Sequence, residues 1–126
     1  MGNSKKILVV DDEPDMVEWL TTFFEDNGYE TVFAHDGFDG FEKVLTEKPD
    51  LITLDITMDK ESGIKMYRKL HDSEEASKIP VIMLTGVSPE FKRFIESRKQ
   101  VDPPAAYFEK PVEREDLLKK VKELIG

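Results

Sequence analysis

Apolar residues along this chain fall into two alternating patterns. Short, nearly uninterrupted runs occur at Ile7–Val10, Leu51–Leu54 and Val81–Leu84, with a weaker one at Thr31–Ala34 and a short one around Ala105–Phe108. Runs without polar alternation predict strands covered on both faces, the habit of parallel sheets flanked by helices. Between the runs, the apolar spacing widens to three and four residues. Val17, Leu20 and Phe24 share one face of a helix over Pro14–Asp26, and Asn27-Gly28 supplies its stop. Phe38, Phe41 and Leu45 mark the apolar face of a helix over Asp36–Lys48, and Ile64, Tyr67 and Leu70 that of one over Gly63–His71. Pro89, a good first-turn residue, begins a helix with Phe91, Phe94 and Ile95. The last helix, Glu113–Ile125, carries Leu117, Leu118, Val121, Leu124 and Ile125.

Five strand–helix units thus follow one another with no linker, repeat or low-complexity segment. The expected fold is α/β: a doubly wound, five-stranded parallel sheet of order 2-1-3-4-5 with five covering helices, because crossovers between parallel strands are right-handed and need helices on the faces. Ligands of such sheets bind outside the carboxyl ends of the strands, at the switch point between strands one and three. The conspicuous polar residues lie there. Asp11 and Asp12 follow the first strand, Asp55 ends the third, Thr85 ends the fourth and Lys110 ends the fifth.

Three carboxylates, a hydroxyl and an ammonium in one crevice point to phosphoryl chemistry. Clustered carboxylates do not all stay ionised cheaply without a cation. A hard ion such as Mg²⁺ relieves the repulsion, taking one or two carboxylates, waters and a phosphate oxygen. Asp55, alone at its strand end, is placed to act as a nucleophile towards phosphorus, and Thr85 and Lys110 to bind the oxygens of the transferring group. A plainer reading makes Asp11-Asp12-Glu13-Pro14 an acidic helix cap; it suits Glu13 and Asp15 but leaves Asp55 unexplained. His35 and His71 fall far apart in this topology and read as surface residues.

The stretches "KKILVVDDEPD", "PDLITLDITM", "PVIMLTG" and "YFEKPV" resemble, in order and spacing and over nearly the whole chain, the receiver domain of two-component response regulators, a CheY-like, flavodoxin-like fold. The resemblance implies that Asp55 accepts a phosphoryl group from a histidine kinase or histidine phosphotransfer protein and then switches binding to a downstream protein target. It implies that Asp12 and Asp55 ligate Mg²⁺, for which Mn²⁺ can substitute, that Asp11 holds a metal-bound water, and that the backbone carbonyl of Thr57 completes the protein ligands. Thr85 and Lys110 then bind the phosphoryl group, and Tyr107 matches the aromatic that moves inward on activation. A haloacid-dehalogenase-type phosphatase would need a second Asp where Thr57 stands, and a flavin phosphate would want Ser, Thr or Gly in place of the acidic loop after the first strand.

Composition narrows the reading further. A net charge of −9 and an isoelectric point near 4.7 argue against a nucleic-acid partner. No apolar run approaches the ~18 residues of a membrane span, and the absence of cysteine suits a reducing compartment, so a cytoplasmic protein without membrane contact is expected. The 126 residues are expected to form one receiver domain with no output domain. Three features depart from the family pattern: Asp59 stands where Pro is usual, the span from Thr85 to Lys110 is long, and Asp102-Pro103-Pro104 precedes the fifth strand. The first helix also carries more apolar surface than one core face needs, with Met16, Trp19 and Phe23 flanking the main stripe. Trp19 and Phe23 are the expected anchor for a partner helix.

Hydrolysis of an aspartyl phosphate requires a water held in line with phosphorus. The residues that flank this approach in the family correspond to Thr57 and Val87, neither of which offers a carboxylate or amide. Slow self-dephosphorylation is therefore expected, and the Thr57→Asn, Val87→Glu double variant should lose its phosphoryl group faster than the parent in a time course by intact mass; an unchanged decay would refute the assignment.

Overall fold

A computed structural model describes the backbone of residues 4–55, 60–85, 105–109 and 112–126, and the side chains of all these except 60–64 and 85. Strands β1 (Lys6–Val10), β2 (Glu30–Ala34), β3 (Leu51–Asp55), β4 (Val81–Thr85) and β5 (Ala106–Glu109) form one parallel sheet of order β2-β1-β3-β4-β5. This is the expected doubly wound arrangement. Four α-helices occur among the described residues: α1 (Pro14–Asp26), α2 (Gly37–Glu47), α3 (Lys60–Asp72) and α4 (Arg114–Ile125). The helix expected to begin at Pro89 lies outside the described residues. A 3-10 turn over Ala76–Lys78, invisible in the polar run that encodes it, joins α3 to β4.

The strand sequences lack polar alternation because both sheet faces are covered. Ile7, Val9, Leu51, Ile82 and Leu84 pack with Val17, Leu20 and Phe24 of α1 and with Leu117 and Val121 of α4. Their neighbours along the strands, Leu8, Val10, Ile52, Leu54 and Met83, face the other way, onto Val44 of α2 and Met66, Tyr67 and Leu70 of α3. A period of two in a strand therefore sends consecutive apolar residues into two separate cores.

Helix ends follow local chemistry. Pro14 opens α1, and Gly28 closes it at φ +91°, a conformation that favours glycine. Tyr29 N–H donates to Phe24 O and Gly28 N–H to Glu25 O, while the Phe24 and Tyr29 rings meet edge to face at 6.4 Å. This is a Schellman stop with its apolar clasp. Asp36 caps α2 by accepting from the Asp39 N–H at 2.7 Å. Helix α3 starts a turn before the expected Gly63, since one internal glycine costs a helix only ~1 kcal/mol.

One face assignment is corrected. The apolar stripe of α2 is not its buried side: Phe38 and Leu45 are exposed and Phe41 half-buried, whereas Gly37, Gly40 and Val44 are buried. Glycine decides this, because the helix comes closest where it has no side chain. A Cβ built on Gly40 would meet Met66 Sδ at 2.9 Å and Val10 Cγ2 at 3.1 Å. Met66 is a flexible neighbour, but Val10 is fixed in a fully covered strand. Gly40→Val is accordingly expected to destabilise the protein by about 1–3 kcal/mol of overpacking, read as a lower urea midpoint; unchanged stability would mean that α2 does not seat on this face.

Candidate functional site

The sheet's hydrogen-bonding register builds the site. Val10 of β1 pairs with Leu54 of β3, so Asp11 and Asp55 emerge side by side at the carboxyl edge. Both are about 1% exposed. Asp55 pairs in turn with Leu84, and Thr85 with Glu109. Register therefore sets the last residue of β4 beside Asp55.

The loop after β1 is held at both ends. Asp11 N–H donates to Ala34 O at 3.0 Å, extending the β1–β2 ladder by one residue. The Asp11 carboxylate accepts from Glu13 N–H at 2.9 Å, a local turn that feeds the chain into α1. Glu13 is the N-cap residue of α1 but makes no capping hydrogen bond with its side chain, so it is at most an electrostatic partner of the helix end. Its carboxylate instead joins those of Asp11, Asp12 and Asp55, with oxygens of all four residues within 4.8 Å of one another.

Sequence reasoning brought together Asp11, Asp12 and Asp55 but assigned Glu13 to the helix. The available signal was its position two residues after Asp11, across a turn closed by that aspartate. Asp12 and Glu13 are exposed, and Asp11 and Asp55 buried, so the cluster opens to solvent on one side. An all-oxygen donor set of this kind suits a hard divalent cation and not a soft one.

Other expected positions are distributed as follows. Thr85 ends β4, and its side chain is not among those described. Thr57, Asp59, Val87, Asp102 and Lys110 lie outside the described residues. Tyr107 is half-buried against the α2–α3 core, with its hydroxyl buried. Trp19 and Phe23 are half-buried, and their rings stack at 5.6 Å with planes 6° apart. With Asp15, Glu18, Thr22, Asp26 and Arg114 they line a surface concavity of ≈ 430 Å³. No helix of the described residues is long and apolar enough to cross a membrane.

Comparison with known proteins points one way. The sequence model of the family described as "Response regulator receiver domain" matches residues 7–122. The alkaline phosphatase synthesis transcriptional regulatory protein PhoP of Bacillus subtilis is 35% identical over 122 residues, which are 97% of this chain and 49% of PhoP. Protein PilH of Pseudomonas aeruginosa is 34% identical over 121 residues, 96% of this chain and 98% of PilH. The chain therefore spans about half the length of PhoP and nearly all of PilH. Among solved structures, a CheY-like response regulator receiver domain protein from Methanospirillum hungatei superposes with a TM-score of 0.81 at 30% identity, covering 96% of this chain and 93% of that one. Chemotaxis protein CheY4 of Vibrio cholerae superposes with a TM-score of 0.80 at 26% identity, covering 96% and 98%.

The carboxylate cluster gives a direct stability prediction. A divalent cation bound by the folded cluster and not by the unfolded chain should raise the melting temperature, by about 2.7 kcal/mol of stabilisation at a hundredfold excess over its Kd. Asp12→Asn is expected to be as stable as the parent, or up to ~1 kcal/mol more so, in EDTA, because one repelling charge is gone. It should also lose the stabilisation by Mg²⁺. An Asp12→Asn variant whose melting temperature still rises with Mg²⁺ like the parent's would rule out Asp12 as a ligand.

Proposed function

This chain belongs to the response regulator receiver domain family, the phosphorelay signalling module of two-component systems, and from that premise we propose that Asp55 is its phosphoacceptor. The observation that carries the proposal is the buried Asp55 carboxylate at the end of β3, within 4.8 Å of the carboxylates of Asp11, Asp12 and Glu13. In the proposed reaction, an Asp55 carboxylate oxygen attacks the phosphorus of a phosphohistidine on a kinase or phosphotransfer protein. The P–N bond breaks as the P–O bond forms, and the imidazole leaves.

Asp12 and Asp55 would hold Mg²⁺, or Mn²⁺ in its place, with Asp11 orienting a bound water and the Thr57 carbonyl completing the protein ligands. Bound there, the cation neutralises charge on the phosphoryl oxygens and offsets the repulsion among the carboxylates. The Thr85 hydroxyl and the Lys110 ammonium would bind the remaining oxygens. Register supports their pairing, since Thr85 lies opposite Glu109 and Lys110 is the next residue. Movement of Thr85 towards the phosphoryl group, with repacking of Tyr107, would carry the change to the surface and alter binding of a downstream protein target. The module's own chemistry is then its self-phosphorylation and self-dephosphorylation, not turnover of a separate substrate.

Incubation with acetyl phosphate and Mg²⁺ is expected to add one phosphoryl group by intact mass, and to add none to Asp55→Asn. Labelling of Asp55→Asn to the same extent would move the acceptor elsewhere.

For delivery of the phosphoryl group, the Trp19–Phe23 stack is the proposed anchor for the donor's helix. Its support is an aromatic pair left half-covered beside a concavity on α1. Trp19→Ala should slow phosphotransfer from the cognate donor at least tenfold while acetyl-phosphate labelling stays nearly unchanged. Equal losses with both donors would make Trp19 structural.

A further inference from the structure

The concavity beside the Trp19–Phe23 pair carries a charge pattern that indicates its occupant. The two stacked rings make a flat apolar wall, and Asp15, Glu18 and Asp26 of the same helix line the ≈ 430 Å³ groove with them. From Asp15 to Asp26 the acids span about 16 Å at 1.5 Å rise per residue. All three are exposed, and none forms an ion pair among the described residues. Arg114 of α4 is the one cation among the described lining residues, and it is unpaired as well. Beyond the lining, exposed Glu115 and Lys122 of α4 carry opposite charges. The groove thus holds three carboxylates to one guanidinium, in a protein of net charge −9.

The stability of α1 does not require these acids. Asp15 and Glu18, three residues apart, share a side of the helix and repel each other. Asp26 lies in the last turn, where the helix dipole is negative and no basic residue is present. Cations set along the groove relieve both costs. The net charge draws a cationic segment in from a distance and repels a second copy of this chain.

We propose that the donor helix docking on Trp19 and Phe23 is cationic: it seats aliphatic side chains against the aromatic wall and sets Lys or Arg along Asp15, Glu18 and Asp26. The proposal rests on the docking of a protein donor on α1 put forward above, and adds the chemistry by which that donor is selected. Arg114 sharpens the selection, because it repels any cation on the α4 side and confines the basic flank to the α1 side. Residues at i, i+3 and i+7 of the partner suffice to cover the wall.

The probe is a synthetic helix free of Trp and Tyr, with Leu at i, i+3 and i+7 flanked by Lys, beside a twin in which every Lys is Glu. Trp19 is the only tryptophan, so its fluorescence in the full chain reports binding at this spot. The Lys peptide should shift the emission saturably and bind at least tenfold more tightly than the twin. Its affinity should fall as NaCl rises, because exposed charges are screened. The Asp15→Lys, Glu18→Lys double variant should weaken it at least tenfold with the parent's circular dichroism, and Arg114→Glu should tighten it. Glu74→Lys, Glu75→Lys alters net charge equally on the opposite side of the sheet and should leave the affinity within twofold. No saturable shift up to millimolar peptide, equal affinity for the twins, or equal loss from the two double variants overturns the proposal. So does self-association of the parent chain that Asp15→Lys, Glu18→Lys abolishes, since the occupant would then be a second copy. If Trp19→Ala slows phosphotransfer selectively while the twins bind alike, donor docking on α1 survives and the cationic partner falls. Equal losses from Trp19→Ala with both phosphodonors remove the docking itself, and the proposal with it.

Discussion

Like charges held side by side at the carboxyl edge of two neighbouring strands are the constraint that the rest of this fold has to sustain. Asp11 and Asp55 leave β1 and β3 from adjacent register positions, both almost fully covered, with their carboxylate oxygens within 4.8 Å. At an effective dielectric near 20, two unit charges at that separation repel by about 3 kcal/mol. Asp12 and Glu13 add negative charge from the solvent side, where screening is stronger. Nothing local to residues 11–13 would choose this arrangement. The rest of the fold imposes it.

What imposes it is burial on both sides of the sheet. Fully covering an aliphatic or aromatic side chain is worth about 1.5–3 kcal/mol, and β1, β3 and β4 each contribute such residues to both cores. A slip of one residue in the β1–β3 register would turn each set towards the wrong core, so the register that aligns Val10 with Leu54 is firmly held. The carboxylates are carried along with it. Hydrogen bonds from Asp11 N–H to Ala34 O and from Glu13 N–H to the Asp11 carboxylate then hold the loop itself. The site is a place where sheet packing sets the positions of the carboxylates.

The two helical faces of the molecule solve the same packing problem differently. On one, α1 brings large residues to the sheet, and its surplus aromatics Trp19 and Phe23 stack at the rim. On the other, α2 brings glycine, approaches closely, and leaves Phe38 outside and Phe41 half-covered, both rings under the Lys69 ammonium. A helix that seats on Gly37, Gly40 and Val44 has no room to turn Phe38 inwards as well. Close approach and exposed ridge are two consequences of one choice of face.

Much of this was legible in the sequence. Apolar runs without alternation determined a two-sided parallel sheet, helical spacing in α1 and α4 determined their buried faces, and acids at strand ends determined the chemical character of the crevice. These follow from short-range periodicity, which a sequence displays directly. The sheet order, although expected from general rules of connection, became definite only through pairing between distant strands. Tertiary structure alone decided the side of α2 that packs. Counting apolar residues favoured Phe38, Phe41 and Leu45, and the space available beside Val10 and Met66 favoured glycine. Structure alone also placed Glu13, whose role depends on where the Asp11 turn aims it and not on its fitness as a cap. For α2 the deciding quantity was a distance between elements remote in sequence, which no local pattern encodes; for Glu13 a local turn sets the direction, and only the pairing of β1 with β3 brings Asp55 to meet it.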